Sequence, residues 1–223
     1  MIIFDKVTLR YPYDEFDVLK DASFTLEQGV NTVLADAQSG KSTLCKLLLK
    51  DIAPTSGHIF VDGLDISSIT NANLDILYLP RNPVFFERKS VQYNMEYPLK
   101  VRKVGKTERK QRVRELAEQF AIDLGAKLHS LSPEQRRTVA LARGLTVKRK
   151  TVLFDGFFDG DTPDIQYING ILKHFDTCVI LTSEPRIAMG NTVVLDGGIT
   201  AFQGDAEQAR QYVSKLYWLS RAY

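Results

Sequence analysis

The stretch NTVLADAQSGKSTLCKLLLK, residues 31–50, decides the fold. Thr32, Val33, Leu34 and Ala35 make a short apolar strand, a loop of small residues follows, and a helix opens at Gly40, Lys41, Ser42 and Thr43. A loop of backbone N–H groups feeding a helix N-terminus attracts anions, because first-turn amides lack partners and the helix dipole favours negative charge there. In the pattern G-x-x-x-x-G-K-[ST] the lysine, here Lys41, reaches terminal phosphates, and the following hydroxyl, here Ser42, reaches a magnesium ion. Ala37, Gln38, Ser39, Gly40 and Thr43 complete the expected phosphate cradle. Ala35 replaces the pattern's first glycine, and Gln38 stands where a glycine would more easily supply positive φ. The competing reading is a helix that starts with Gly-Lys-Ser by chance and binds nothing.

With 223 residues the chain can bury a large core in one domain, or in one domain carrying a subdomain. Its 44% hydrophobic and 25% charged residues are an ordinary globular composition, and a net charge of +2 calls for no nucleic acid or acidic partner. The two cysteines, Cys45 and Cys178, fall in apolar segments without metal spacing and read as buried thiols in a reducing compartment. No apolar run approaches the roughly 20 residues of a membrane helix, and the opening MIIFDKVTLRY lacks a signal-peptide layout. A membrane role would therefore come through a partner.

Residues 1–9 and 18–26 alternate apolar and polar side chains and predict two antiparallel edge strands. Further strands are expected at 57–61, closed by an Asp62-Gly63 turn, and at 74–79, stopped by Pro80. From 90 to 128 the chain is charged and helix-favouring, and residues 99–114, LKVRKVGKTERKQRVR, hold eight basic residues against Glu108 alone. That basic run reads as a solvated helix face, or as a contact for anionic lipid or an acidic partner. Nucleic acid is not expected, since no aromatic residue interleaves with the charges to stack a base. Short apolar strands at 151–155, 178–182 and 192–195 then alternate with a helix at 164–175, which marks a parallel sheet covered on both faces. Residues 206–223 close the chain as an amphipathic helix.

Taken together, these residues resemble the nucleotide-binding subunits of ABC transporters. Tyr11 matches the aromatic that stacks on adenine, and Ser39-Gly40-Lys41-Ser42-Thr43 matches the end of the phosphate loop. Leu79-Pro80-Arg81-Asn82-Pro83 resembles the Q-loop, and Leu131-Ser132-Pro133-Glu134-Gln135 the signature sequence. Val152-Leu153-Phe154-Asp155 resembles the strand whose aspartate is linked to magnesium. The resemblance implies an α/β P-loop NTPase of ABC type. Its mostly parallel sheet would be flanked by helices, with an N-terminal antiparallel β subdomain and an inserted helical subdomain at about 84–150 of a single domain, 1–223. It also implies ATP and Mg2+ as ligands, with Ser42 and Asp155 toward the metal. Ser132 and Gln135 would serve the opposite subunit's site in a homo- or heterodimer. Transmembrane subunits would dock near Pro83, Val84, Phe85 and Phe86, or that apolar run belongs to the subdomain core. The chain would then lie in the cytoplasm, peripheral to a membrane.

The departures from the family fall on its chemistry. Where a glutamate polarises the attacking water the chain has Gly156, which can neither accept a proton nor orient water. Asp159 and Asp161 lie near in sequence, but each would substitute only through a rebuilt loop. Arg81 replaces the Q-loop glutamine; a guanidinium has donors only and pairs with phosphate rather than metal, or simply sits on the surface. Ser183 stands where the switch histidine belongs and can hydrogen-bond a γ-phosphate without carrying charge. Ser132-Pro133-Glu134-Gln135 makes a good capping box, yet Pro133 removes an amide donor and Glu134 sets a carboxylate toward phosphate oxygens. Three readings follow: an ATP-binding subunit with weak or absent hydrolysis, an active ATPase with a relocated carboxylate, or an interaction module with a vestigial nucleotide site.

Overall fold

The computed structural model describes residues 1–36, 39–71, 73–160 and 165–220. Two compact units emerge, one from Met1–Tyr78 with Thr151–Tyr223 and the other from Leu79–Lys150.

The first unit opens with β1 (Ile2–Leu9), β2 (Leu19–Leu26) and β3 (Gly29–Ala35), followed by α1 (Lys41–Leu48), β4 (Ser56–Val61) and β5 (Leu64–Asp65). The next strand, β6 (Ile76–Pro80), leads into the second unit. After that unit come β7 (Thr151–Asp155), α5 (Ile165–Leu172), β8 (Thr177–Thr182), β9 (Asn191–Asp196), β10 (Ile199–Asp205) and α6 (Ala206–Ser220). The second unit holds α2 (Val91–Val101), α3 (Lys106–Gln119) and α4 (Pro133–Leu145).

A four-stranded sheet runs in the order β2-β1-β4-β5, and a six-stranded sheet in the order β10-β9-β3-β8-β7-β6. The first is antiparallel throughout. It corrects one expectation: β1 is not an edge, because β4 pairs along its other side through a contact some fifty residues away that local alternation does not reveal. Along β1 the buried set Ile2 and Phe4 changes phase to Val7 and Leu9 across Asp5 and Lys6, where the register shifts and Lys6 takes φ 49. This is a bulge, which keeps both halves of the strand facing the core.

In the larger sheet β3 pairs parallel with β8 and with β9, and β8 with β7. The strand β10, absent from the sequence expectations, adds an antiparallel edge through the Asp196-Gly197-Gly198 turn. It also covers the edge of β2. The Gln203 amide accepts from the Thr25 N–H at 3.3 Å and donates to the Thr25 carbonyl at 2.8 Å, while the Ser23 N–H donates to Thr200 Oγ1 at 3.2 Å. The core lies between the two sheets and α1, with Phe4 and Phe24 stacked at 4.4 Å and Leu44, Leu47, Val33 and Leu153 buried around them.

Two polar residues at the start of β3 are wholly buried, Asn31 and Thr32. Asn31 Oδ1 accepts from the Glu27 N–H at 2.7 Å and from Asn191 Nδ2 at 3.1 Å, and its Nδ2 donates to the carbonyls of Glu27 at 2.8 Å and Cys178 at 3.3 Å. One amide thus ties β3 to β8, β9 and the turn before it. Asn31→Leu strips these partners of their bonds while the site stays buried. Urea denaturation of this variant is expected to show a loss of about 2–4 kcal/mol, and a loss within experimental error would contradict that role.

Candidate functional site

Parallel pairing brings the C-terminal ends of the central strands level. Leu34 lies beside Thr182, Ala35 beside Leu195, and Asp155 beside Leu181. The loop into α1, the aspartate closing β7 and the segment after β8 therefore meet at one edge of the sheet, where parallel α/β folds hold their ligands. Ala37, Gln38 and Asp161 lie outside the described residues.

Gly40 precedes α1 in the left-handed region at φ 91, and a Cβ there would meet Leu19 Cδ2 at 2.8 Å. Glycine meets both demands, conformation and space. Ser39 and Thr43 are buried and Ser42 is exposed at the first turn. The Lys41 ammonium folds back onto its own loop, donating to the carbonyl oxygens of Ala35 and, at 2.8 Å, Asp36. Burial pulls its pKa below the usual lysine value against the opposing pull of Asp159, Asp36 and Asp155. The ammonium expected to hold phosphate thus feels the charge of three carboxylates.

Tyr11 is half-buried against the core beside α1, its hydroxyl 3.2 Å from Thr43 Oγ1, with the Lys46 ammonium 5.2 Å from its ring centroid. Its hydroxyl is thereby coupled to the first turn of α1, the helix that follows the loop.

Asp155 accepts a hydrogen bond on Oδ2 from the Tyr78 hydroxyl at 2.9 Å. Burial first, and the Asp155 charge second, push both the Tyr78 phenol and the Cys45 thiol upward, so both stay protonated beside this carboxylate. The hydroxyl of Ser42 and the carboxylate of Asp155 are hard oxygen donors of the kind magnesium accepts, few in number because the ion keeps waters and phosphate oxygens. Among the described residues no cluster of three His, Cys, Asp or Glu side chains is placed to hold a metal ion. The donor set therefore fits magnesium.

Beyond Asp155 the backbone turns sharply. Gly156 has φ 58 and donates its N–H to the Leu181 carbonyl at 2.9 Å. Phe157 and Phe158 then plunge into the core, with ring centroids 5.4 and 4.8 Å from Phe154. This anchoring returns the chain at Asp159, whose N–H bonds the Gly156 carbonyl at 3.1 Å and whose Oδ1 accepts from the Thr182 hydroxyl at 2.5 Å. The aromatic pair Phe157-Phe158 was the sequence signal for this turn, and reading it as core would have located Asp159 at the strand ends. Ser183 is exposed and shares a cavity of about 370 Å³ with Ala35, Asp36, Val194 and Asp196.

The second unit carries the remaining candidates. Arg81 is exposed and makes no side-chain hydrogen bond or ion pair among the described residues. Ser132 and Gln135 are spent on the capping box of α4: Ser132 Oγ accepts from the Gln135 N–H at 3.2 Å, and Gln135 Oε1 accepts from the Ser132 N–H at 2.9 Å. The run 83–86 divides. Phe85 is buried with the guanidinium carbons of Arg136 and Arg143 at 5.2 and 4.6 Å from its ring centroid, whereas Val84 and Phe86 are exposed.

Residues 19–158 match the family model described as ABC transporter. The chain is 37% identical over 146 residues to the molybdate/tungstate import ATP-binding protein WtpC of Thermococcus kodakarensis, covering 64% of this chain and 44% of that protein. It is 35% identical over 143 residues to the Fe(3+) ions import ATP-binding protein FbpC of Mannheimia succiniciproducens, covering 62% and 40%. The matches thus span less than half the length of these curated relatives. Among solved structures it resembles a bacterial Atm1-family ABC exporter with ATP bound, at TM-score 0.78 and 24% identity over 100% of this chain and 42% of that one. It also resembles CbiO1 of Clostridium perfringens, part of the ABC transporter complex cbiONQ, at TM-score 0.79 and 23% identity over 93% and 89%. The strand-loop-helix around Lys41, the aspartate closing β7 and the family match have one meaning: the chain belongs to the ABC transporter family, on the side of its ATP-binding subunits.

Proposed function

We propose that the chain is an ATP-binding subunit of an ABC-type membrane transport or regulatory complex whose own hydrolysis is weak or absent. The observation that carries this reading is Gly156. The position directly after Asp155 has no side chain, and its left-handed backbone disfavours any residue that would bring one. The import ATP-binding proteins among its relatives favour an importer over an exporter.

In this reading Lys41 leaves the carbonyls of Ala35 and Asp36 to meet the β- and γ-phosphates, while the first-turn amides of α1 cradle them. Ser42 and Asp155 hold the magnesium ion, which when bound neutralises the charge on the phosphates. Tyr11 offers a ring to the base. Exposed Val84 and Phe86 present the contact for a membrane subunit, and Ser132 with Gln135 faces a second ATP-binding subunit.

One observation favours the alternative of a relocated carboxylate. Asp159 is the acidic group that acts most strongly on Lys41, and the Thr182 hydroxyl holds it at the strand ends. A base there would need hydrogen-bond reach to the attacking water.

Four variants separate these readings. Lys41→Ala is expected to weaken Mg-ATP binding in calorimetry by about tenfold or more, the size of a charge-assisted phosphate contact. Absence of ATP binding by the unaltered chain at millimolar concentration would leave only the vestigial module. Tyr11→Ala should weaken ATP and GTP alike, by about 1–3 kcal/mol, since stacking accepts any base; unchanged affinities would assign Tyr11 to packing. Purified chain should release phosphate at background rate, and Gly156→Glu should not restore turnover while costing about 1–2 kcal/mol of stability through its positive φ. Ordinary turnover abolished by Lys41→Ala and by Asp159→Asn would instead establish the relocated carboxylate.

A further inference from the structure

The Tyr78 hydroxyl takes part in none of the roles assigned above, yet it makes one specific bond, to Asp155 Oδ2 at 2.9 Å. Tyr78 lies on β6 and Asp155 ends β7, the neighbouring strand of the larger sheet. The Tyr78 ring is half-buried and packs on the main core, so its position is fixed by the sheet rather than by a surface loop. A phenol is a reliable donor at neutral pH, and a carboxylate is an acceptor only.

The consequence concerns rotation. The terminal torsion of an aspartate is broad and two-fold, so an unheld carboxylate presents either oxygen at a range of angles. Magnesium demands near-octahedral geometry and tolerates little of that freedom. Groups that hydrogen-bond a metal-ligating carboxylate from behind set its orientation, and their loss costs metal affinity while the ligand itself remains.

We propose that Tyr78 is a positioning residue for magnesium, holding Asp155 Oδ2 so that Oδ1 is presented to the ion or to its bound water. This rests on the nucleotide-binding reading above. A bond that merely ties two strands would affect folding and leave metal dependence untouched, which provides the test.

Tyr78→Phe keeps the ring and removes only the hydroxyl. ATP is titrated by calorimetry into the unaltered chain and into the variant, once with magnesium and once with EDTA. The expected result is about tenfold weaker binding in magnesium, with binding in EDTA unchanged. Equal weakening in both arms, or none in either, overturns the proposal while leaving ATP binding intact. If the unaltered chain binds in neither arm, it is the nucleotide reading that falls. Asp155→Ala removes the acceptor and supplies a second route: adding Tyr78→Phe to it should bring no further loss in the magnesium arm. A further tenfold loss there would mean that Tyr78 acts by another path.

Discussion

The amide of Asn31, buried without exposure, holds β3 to β8, β9 and the preceding turn at once, and the candidate site depends on it. An unpaired polar group at such a position would be costly, so the strand register in which every donor and acceptor is met excludes its neighbours. Thr32 repeats the device one residue on, its hydroxyl donating to the Met189 carbonyl at 2.8 Å and accepting from the Met189 N–H at 2.9 Å. With the register fixed, Ala35, Asp155 and Thr182 reach the same edge of the sheet. Lys41 and the segment after Asp155 inherit their places from that alignment.

Around this edge the chemistry is crowded with negative charge. Asp36, Asp155 and Asp159 all act on Lys41, and its ammonium is partly desolvated among them. Lys41 is bonded to its loop carbonyls, and Asp159 is held by the Thr182 hydroxyl. The place of Asp159 at the strand ends serves a weakly hydrolysing subunit and one with a rebuilt catalytic loop alike, so its position alone does not separate them.

The second unit carries ion pairs and cation-π contacts beside a buried apolar core that includes Val91, Met95, Leu99, Val113 and Leu141. Arg136 pairs with Glu87 and covers Phe85, whose other cationic neighbour is Arg143. Buried Glu96 faces Arg109 at 3.5 Å and accepts from Gln92 Nε2 at 2.8 Å, joining α2 to the basic helix α3. Arg112 pairs with Glu108 and Lys100 lies over the Tyr93 ring, so much of the basic run at 99–114 is engaged locally.

The sequence by itself determined the central strands, the helix start at Gly40 and the capping box at Ser132, because each rests on local rules: apolar runs, a turn conformation, a cap at fixed spacing. It also shows Gly156 directly after Asp155, since absence of a side chain needs no coordinates. Only the tertiary structure decided that β1 is interior and that β10 covers β2, for pairing between distant segments leaves no periodic trace. It likewise decided the return of Asp159 to the strand ends and the hold of Tyr78 on Asp155. Both are contacts across the sheet edge, set when Phe157 and Phe158 bury and when β6 takes its place beside β7; the physical reason is packing of distant residues, which no spacing in the chain encodes.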